Sequence, residues 1–444
     1  MRIAIIGNGI SGVTAARHIR KKDSQAEITI ISAETKHFFS RTALMYIYMG
    51  HMKFENTKPY EDWFWKKNRL NLIYNYVEKV SPEEKQLRFS DGTTFDYDKL
   101  VIACGSTPNK FGWPGQDLKG VGGMYSFQDL ENIEKYSKDL KKAVIIGGGL
   151  IGIELAEMFH SRHIPVTFLV REKSFWNKIL PAEESAMVNR EIRSNGIDLR
   201  LGTELKEIRP DENGRVKSII TSSGEEISCQ FVGLTAGVRP NISFLEGSGI
   251  ATERGVLINH HFETNLPDIY AIGDCAQFTK PIEGRKPLEQ VWYTGRMHGE
   301  VLAQVILGNR KVYRPGPWFN SAKFFDIEYQ TYGDVPAILS DKEESIYWEH
   351  ENRQKSIRLV YEKASGKFLG ANLMGIRFRH EVCDKWLREK RNIKYVLANL
   401  SAANFDPEFF KTHEHEVVAL YNSKNASDPI ELKRRKRLRE LIGL

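Results

Sequence analysis

The sequence predicts an α/β protein with two Rossmann-like domains, each on a parallel sheet, followed by a C-terminal α+β domain. Three observations predict it. The opening run RIAIIG, NGISG, VTAARHIRKK, AEITIIS is strand, glycine turn, helix and strand. The same order returns in KKAVIIGGGLIGIELAEMFHSRHIPVTFLVRE, offset by 140 positions, so that Gly147 stands where Gly7 stood. That offset is too long for a solenoid repeat and fits two domains of one kind. Thirdly, the texture changes near Arg314, where Pro315-Gly316-Pro317 breaks the chain. A length of 444 residues accommodates about three domains at roughly 150 residues each.

Each element follows from its residues. The first βαβ unit is punctuated by glycines and closed by a second alternating apolar run. FSDGTTFDYDKLVIAC is a hairpin with Asp91-Gly92 in its turn, then a buried apolar strand. Behind the second unit come short strands with turns at Asp211–Gly214 and Ser223-Gly224. From about Arg314 the segments KFFDIEYQTYG, SIYWEH, KSIRLVYE and FLGANLMG are strand-like and aromatic, and RHEVCDKWLREKRN is helical. A separate α+β domain is expected to about residue 421, with a polar tail after it.

Composition narrows the classes. Apolar residues are 41%, charged residues 27% and mean hydropathy −0.42, ordinary for a globular chain. No run of about 18 apolar residues exists, which excludes a spanning helix on this reading. The N-terminal apolar burst is too short for the core of a signal peptide, so a cytoplasmic protein is expected. Cys104, Cys229, Cys275 and Cys383 lie at least 46 positions apart, against disulfide frameworks, zinc sites, iron–sulfur clusters and a dithiol relay. The formal charge is +7, but residues 424–444 carry seven Lys/Arg against three Asp/Glu. The body is therefore nearly neutral and the tail basic.

The glycines carry the chemistry. Gly7 permits a tight turn, Gly9 lets backbone approach a pyrophosphate, and Gly12 lets helix and strand pack closely. With Asn8, Ile10 and Ser11 they bring the positive end of a helix to the phosphates. Glu34 follows Gly12 by 22 residues, where a carboxylate takes an adenosine ribose. Gly147, Gly149 and Gly152, with Leu150 and Ile151 opening the helix and Glu154 after them, form a second cradle. Two dinucleotide sites in one chain mean that one dinucleotide can pass electrons to another.

These residues resemble the two-dinucleotide flavoprotein reductases, the pyridine nucleotide-disulfide oxidoreductase superfamily. Within it they are most similar to rubredoxin reductases, ferredoxin reductases and the flavin part of assimilatory nitrite reductases. The resemblance spans about residues 1–310. It implies an FAD-binding domain of residues 1–112 with 256–313, an NAD(P)H-binding domain of 113–255, a C-terminal interface domain of 314–421 and a basic tail of 422–444. By this resemblance, IAIIGNGISG with Glu34 is the adenosine-diphosphate site of FAD. HFFSRTAL places Arg41 near the pyrophosphate, and NYVEKV brings the Val77 backbone to the adenine. VIACGSTP supplies the crossing residues Ala103, Cys104 and Gly105, and IYAIGDCA sets Gly273 and Asp274 at the ribityl chain. TAGVRPN is the return from the nicotinamide domain, with Gly237 and Arg239. Trp292, or Val291 under a shift of one, falls where relatives touch the flavin ring. Three departures stand out. Cys104 replaces a threonine and is expected to be a small buried residue. Met45-Tyr46 replaces a lysine, and Ser40-Arg41 occupies the place of the redox cysteine of peroxidases, NADH oxidases and coenzyme A-disulfide reductases.

What the resemblance implies chemically is hydride transfer from nicotinamide C4 to flavin N5, for which the protein stacks and orients two rings. No catalytic triad is expected. Glu154 is either a nicotinamide-pocket residue or a carboxylate serving the N-terminal end of its helix. At the end of the second strand of the second unit, Val170 cannot accept ribose hydrogen bonds. Arg171 and Lys173 suit a 2′-phosphate and Glu172 opposes it, a balance that leans slightly to NADPH. His413-Glu414-His415-Glu416 looks metal-like, but alternating residues on a helix diverge by about 200°, so a solvated helix is expected and no metal. His260-His261 is expected in a loop, and Trp63-Phe64-Trp65 and Trp318-Phe319 in core or interface packing.

Three functions compete. The first is an FAD-dependent NAD(P)H oxidoreductase passing electrons to a small redox protein such as a rubredoxin, ferredoxin or cytochrome. The second is an NAD(P)H:quinone or oxygen reductase at the membrane surface. The third is a nucleotide-sensing binding protein like the apoptosis-inducing-factor relatives. The tail ELKRRKRLRELIGL places Leu438, Leu441 and Ile442 on one face if helical, suiting an acidic partner or peripheral contact with an anionic membrane. No groove-reading motif accompanies it, so nucleic acid is not expected. A homo-oligomer is left open.

Overall fold

Five short strands assemble the sheet on which the first glycine turn sits. The computed structural model describes residues 1–405, 409 and 411–433. The chain divides into two units, 1–167 with 204–315, and 168–203 with the described residues from 316 onward.

In the first unit the strands Ile269–Ala271, Lys99–Ile102, Arg2–Ile6, Glu27–Ser32 and Leu70–Tyr74 lie side by side in that order, all parallel. Their side chains are buried on both faces, as a covered parallel sheet requires: Ile3, Ile5, Ile28, Leu100, Val101 and Ala271 are each at most 1% exposed. The helices Ile10–Lys22 and Trp292–Ile306 pack on each other. A second parallel set, Ala143–Ile146, Phe231–Leu234 and Val121–Gly122, carries the second glycine turn into the helix Leu150–Ser161. The expected hairpin is present: Gln86–Phe89 pairs antiparallel with Thr94–Asp96, and Gly92 turns with φ +84°. So are the turns at Gly214 and Gly224, which join Leu205–Pro210, Val216–Thr221 and Glu226–Ser228.

The second unit is built on an antiparallel sheet ordered Phe319–Phe324, Ile327–Gly333, Phe368–Met374, Ser356–Glu362, Glu343–Glu349. The helices His380–Arg388, Ile393–Ala398 and Glu414–Lys424 share its core. This is the α+β domain the aromatic strands predicted. The helix Ala182–Ser194 buries Glu184, which accepts from Arg358 Nε at 3.1 Å, while Glu183 accepts from Arg358 Nη2 at 2.7 Å.

Several expectations need correction. His413 and Glu414 are not solvated: each is 3% exposed, with Glu414 accepting from Asn404 at 2.7 Å. His413 precedes the helix Glu414–Lys424, so the strict helical alternation assumed for the four residues does not hold at its start. Trp65 is core, whereas Trp63 is 60% exposed. The tail does not leave the body at residue 422: Ile430 and Leu432 pack on the C-terminal core, and the Lys433 amide donates to the Ala398 carbonyl. The basic stretch beyond Lys433 lies outside the described residues. No helix among the described residues is long and apolar enough to cross a membrane.

Candidate functional site

The first glycine turn is shaped by collisions that side chains would cause. Gly7 adopts φ +115°, and a Cβ there would lie 2.1 Å from the Ala103 carbonyl oxygen. A Cβ on Gly12 would lie 2.2 Å from the Gly7 carbonyl oxygen. Gly9 differs: nothing lies within 4 Å of its absent Cβ, and it precedes the helix Ile10–Lys22 with no side chain capping the first turn. The helix therefore turns uncapped amide groups, the positive end of its dipole, toward open space. The second turn repeats this. Gly147 has φ +118° with a Cβ position 2.7 Å from the Thr235 carbonyl, and Gly149 faces open space before an uncapped helix.

One cavity of about 590 Å³ lies in the first unit. Asn8, Gly9, Ile10 and Ser11 line it from the first turn; Leu150, Ile151 and Glu154 line it from the second helix. Gly7, Glu34, Arg41, Val77, Ala103, Cys104, Gly105, Asp274 and Trp292 complete the set that the sequence singled out. Gly12, Gly147, Gly149, Gly152, Gly237 and Gly273 stand outside its lining and shape the backbone behind it. Gly237 (φ +88°) accepts the Asn109 amide through its carbonyl, beside the antiparallel strand pair Val238–Pro240 and Ser106–Pro108. Arg171 belongs to the second unit, where it donates to Glu172 at 3.0 Å and Lys178 pairs with the same carboxylate at 3.3 Å.

The charges of the cavity come in pairs. Arg41 donates to both Glu34 oxygens, Nη1 at 2.7 Å and Nη2 at 2.5 Å, and the Phe127 amide donates to Glu34 at 2.8 Å. Burial opposes the Arg41 charge, yet the hydrogen bonds and charge of Glu34 outweigh it and hold the guanidinium above its ordinary pKa. Burial pushes the Asp274 carboxyl up, against the opposing pull of Tyr125 and Arg41. The Tyr125 hydroxyl donates to Asp274 at 3.0 Å and accepts from the Ser106 amide at 3.0 Å. Gly105, φ +68°, is the residue that passes it: a Cβ there would come to 3.0 Å from that hydroxyl. Burial, helped by Glu157, pushes Glu154 up to about 7.

Sequence reasoning missed Tyr125 because it lies in no glycine motif. The polar residues Tyr125-Ser126 just before the helix Phe127–Ser137 were the one available signal, a Ser N-cap that Asp129 reciprocates. It also judged the cysteines remote from one another. The fold brings Cys275 into hydrogen-bond contact with Cys104, and this contact and burial push the Cys104 thiol well up. Cys104 lines the cavity as a protonated thiol, not as the thiolate that redox chemistry needs. Trp292, not Val291, lines the cavity. His260 and His261 are held by the Lys280 and Lys311 carbonyls in loops, as expected. Among the described residues no group of three or more His, Cys, Asp or Glu is placed to hold a metal.

Two glycine-cradled helices opening on one cavity define a two-dinucleotide oxidoreductase fold. The chain belongs to the pyridine nucleotide-disulphide oxidoreductase family, whose profile matches residues 1–299, and with that membership come the class cofactors FAD and NAD(P)H. It is 29% identical over 380 residues to Nitrite reductase (NAD(P)H) of Bacillus subtilis (strain 168), covering 84% of this chain and 45% of the relative. The chain thus spans less than half of that protein. It is 30% identical over 286 residues to Rubredoxin-NAD(+) reductase of Acinetobacter baylyi, covering 62% of this chain and 72% of the relative. The crystal structure of NADH:rubredoxin oxidoreductase from Clostridium acetobutylicum matches with TM-score 0.69 at 25% identity, covering 88% of this chain and 96% of that one.

Proposed function

We propose that this chain is an FAD-dependent NAD(P)H oxidoreductase that passes electrons through flavin directly to a small redox protein of the rubredoxin, ferredoxin or cytochrome type. The observation that carries it is a cavity lined both by the uncapped first helix and by Leu150, Ile151 and Glu154 of the second. Bound there together, flavin and nicotinamide supply the hydride transfer.

The chain's own residues bind, orient and enclose. The space beside Gly9, faced by uncapped helix amides, takes the FAD pyrophosphate. Glu34 already accepts three hydrogen bonds, which leaves about one of its roughly four lone-pair sites for a ribose hydroxyl. Asp274, kept in place by Tyr125, accepts from the ribityl chain. The Val77 backbone meets the adenine, Gly273 carries the turn before Asp274, and Trp292 walls the ring end. Gly147, Gly149 and Gly152 shape the NAD(P)H cradle, and Gly237 the return strand. Ser40 and Arg41 offer no thiol, Cys275 is buried, and the Cys104 thiol is held well above its ordinary pKa. Electrons then leave the flavin directly, which suits a one-electron protein acceptor. The names of the rubredoxin reductase relatives support that choice.

The test is reconstitution and stopped-flow reduction. Purified protein should be yellow with FAD that denaturation releases, and NAD(P)H should bleach it under anaerobic conditions. Reoxidation should be fast with an oxidised rubredoxin or ferredoxin and slow with a quinone. A protein that takes up no FAD, or whose flavin NAD(P)H leaves oxidised, overturns the reading.

A further inference from the structure

The helix Trp292–Ile306 presents Gly295, His298 and Gly299 on one face, since spacings of three and four return to the same side. The two glycines make room. A Cβ on Gly295 would lie 2.9 Å from Ser11 Oγ, and one on Gly299 would lie 2.6 Å from the Ser11 carbonyl oxygen. The helix can therefore lie directly on the first glycine helix. His298, between them, is 1% exposed, and its Nδ1 accepts the backbone N–H of Gly273 at 3.1 Å.

That bond dictates the state of the ring. Nδ1 must be unprotonated, so the proton sits on Nε2. Burial, and after it the Arg285 charge, push the imidazole down to about 3, so it stays neutral at ordinary pH. Nε2 has no hydrogen-bond partner among the described residues; Tyr313 stands edge-on at 4.7 Å and Phe262 lies tilted at 4.8 Å. A buried N–H amid aromatic rings is tolerated poorly, and a leucine would fill the space at no such cost. The polar ring is thus explained by the bond to Gly273. Gly273 holds φ +74°, and a Cβ on it would lie 2.2 Å from Ser11 Oγ. The next residue is Asp274, which lines the cavity.

We propose that His298 is a positioning residue for the flavin site: its neutral Nδ1 anchors the Gly273 amide and thereby aims the Asp274 carboxylate into the cavity. This rests on the reading that Asp274 binds FAD. The Asn Oδ1 reproduces the position of Nδ1, whereas the Gln amide reaches the position of Nε2 and the Leu side chain offers no acceptor. The experiment measures FAD affinity of the full chain by flavin fluorescence for wild type, His298→Asn, His298→Gln, His298→Leu and Asp274→Ala. It adds the ¹⁵N imidazole and Gly273 amide resonances of the flavin-free protein. Leu and Gln should each weaken FAD about tenfold, because a buried N–H is left unpaired, and Asn should stay within about threefold of wild type. The imidazole should show the Nε2–H tautomer, and the Gly273 amide should shift in Leu and Gln but little in Asn. Equal affinity of Leu and wild type, equal loss in Asn and Gln, or a protonated Nδ1 would each overturn the proposal. If Leu does not fold, the Asn–Gln contrast decides alone. An unchanged affinity in Asp274→Ala would instead overturn the reading of Asp274, whatever the tautomer.

Discussion

Glu154 is a carboxylate whose surroundings disfavour its charge, and a pH-dependent stability follows. Its pKa rises from the ordinary 4.5 to about 7 through burial first and Glu157 second. The folded protein therefore holds this proton more tightly than the unfolded chain does. The stabilisation is complete below about 4.5, is lost as pH rises through 7, and changes no further above that. Glu154→Gln carries no such dependence. The melting temperature of the Gln variant relative to wild type should climb between pH 4.5 and 7 and level off above; a difference constant across that window would show Glu154 to be ordinarily solvated. At this scale the sequence was informative where one residue type is dictated by a backbone need or a motif. Gly7, Gly9, Asp274 and Glu154 were found that way, and all four line the cavity. Tyr125 and His298 were missed because their partners, Asp274 and Gly273, are far away in sequence and nothing local marks such bonds.

The glycine turns show what a βαβ unit asks of each position, and two substitutions separate the demands. Gly7→Ala forces a Cβ to 2.1 Å from the Ala103 carbonyl oxygen in a left-handed conformation, so strand and turn must shift. Gly9→Ala meets nothing, and its backbone at φ −73° suits any residue. Gly7→Ala should lower the melting temperature strongly or prevent accumulation of folded protein. Gly9→Ala should melt within a few degrees of wild type and yet lose FAD affinity by roughly tenfold or more, since its methyl enters the space proposed for the pyrophosphate. Near-native FAD affinity in Gly9→Ala would remove the pyrophosphate from this turn. Elements of this kind were legible because strand, glycines and helix are contiguous and their periods differ. The order of the C-terminal strands was not, nor was the pairing of Ser106–Pro108 with Val238–Pro240. The partners lie up to 45 residues apart in the C-terminal sheet (Tyr329 with Met374) and 134 apart in the second case (Ser106 with Pro240), and alternating burial alone does not select among them. The buried Arg358–Glu184 pair was equally invisible, because a charge inside a core contradicts local pattern and is paid for only by its distant partner.

Across the whole molecule, electrons and charge are distributed in ways that two further variants can read. The four thiols are free, and Cys104 meets Cys275, a contact the chain order did not foretell. With all four cysteines replaced by Ser or Ala, in a variant that folds and keeps FAD, NAD(P)H should reduce the flavin at a rate close to wild type; a large loss would reveal redox work at Cys104. Charge is more uneven. Residues 434–444 hold five Lys/Arg and one Asp/Glu in a chain of formal charge +7. Among the described residues, Ile430 and Leu432 pack on the C-terminal core and Lys433 donates to Ala398 just before this stretch. A truncation therefore belongs after Lys433, since removing residues from 424 onward would strip those contacts as well. Deletion of 434–444 should leave FAD affinity, melting temperature and turnover with ferricyanide unchanged. Small redox proteins of the proposed kind meet their reductases partly by long-range attraction, and opposite charge raises the encounter rate. Turnover with an acidic rubredoxin or ferredoxin should accordingly fall at low salt. The deficit should shrink as ionic strength approaches and exceeds about 0.15 M, where the screening length is about 8 Å and the intact tail loses its reach as well. A deficit that salt leaves untouched would mean contact rather than steering, and a truncated protein that sheds flavin or melts early would make the stretch part of the fold.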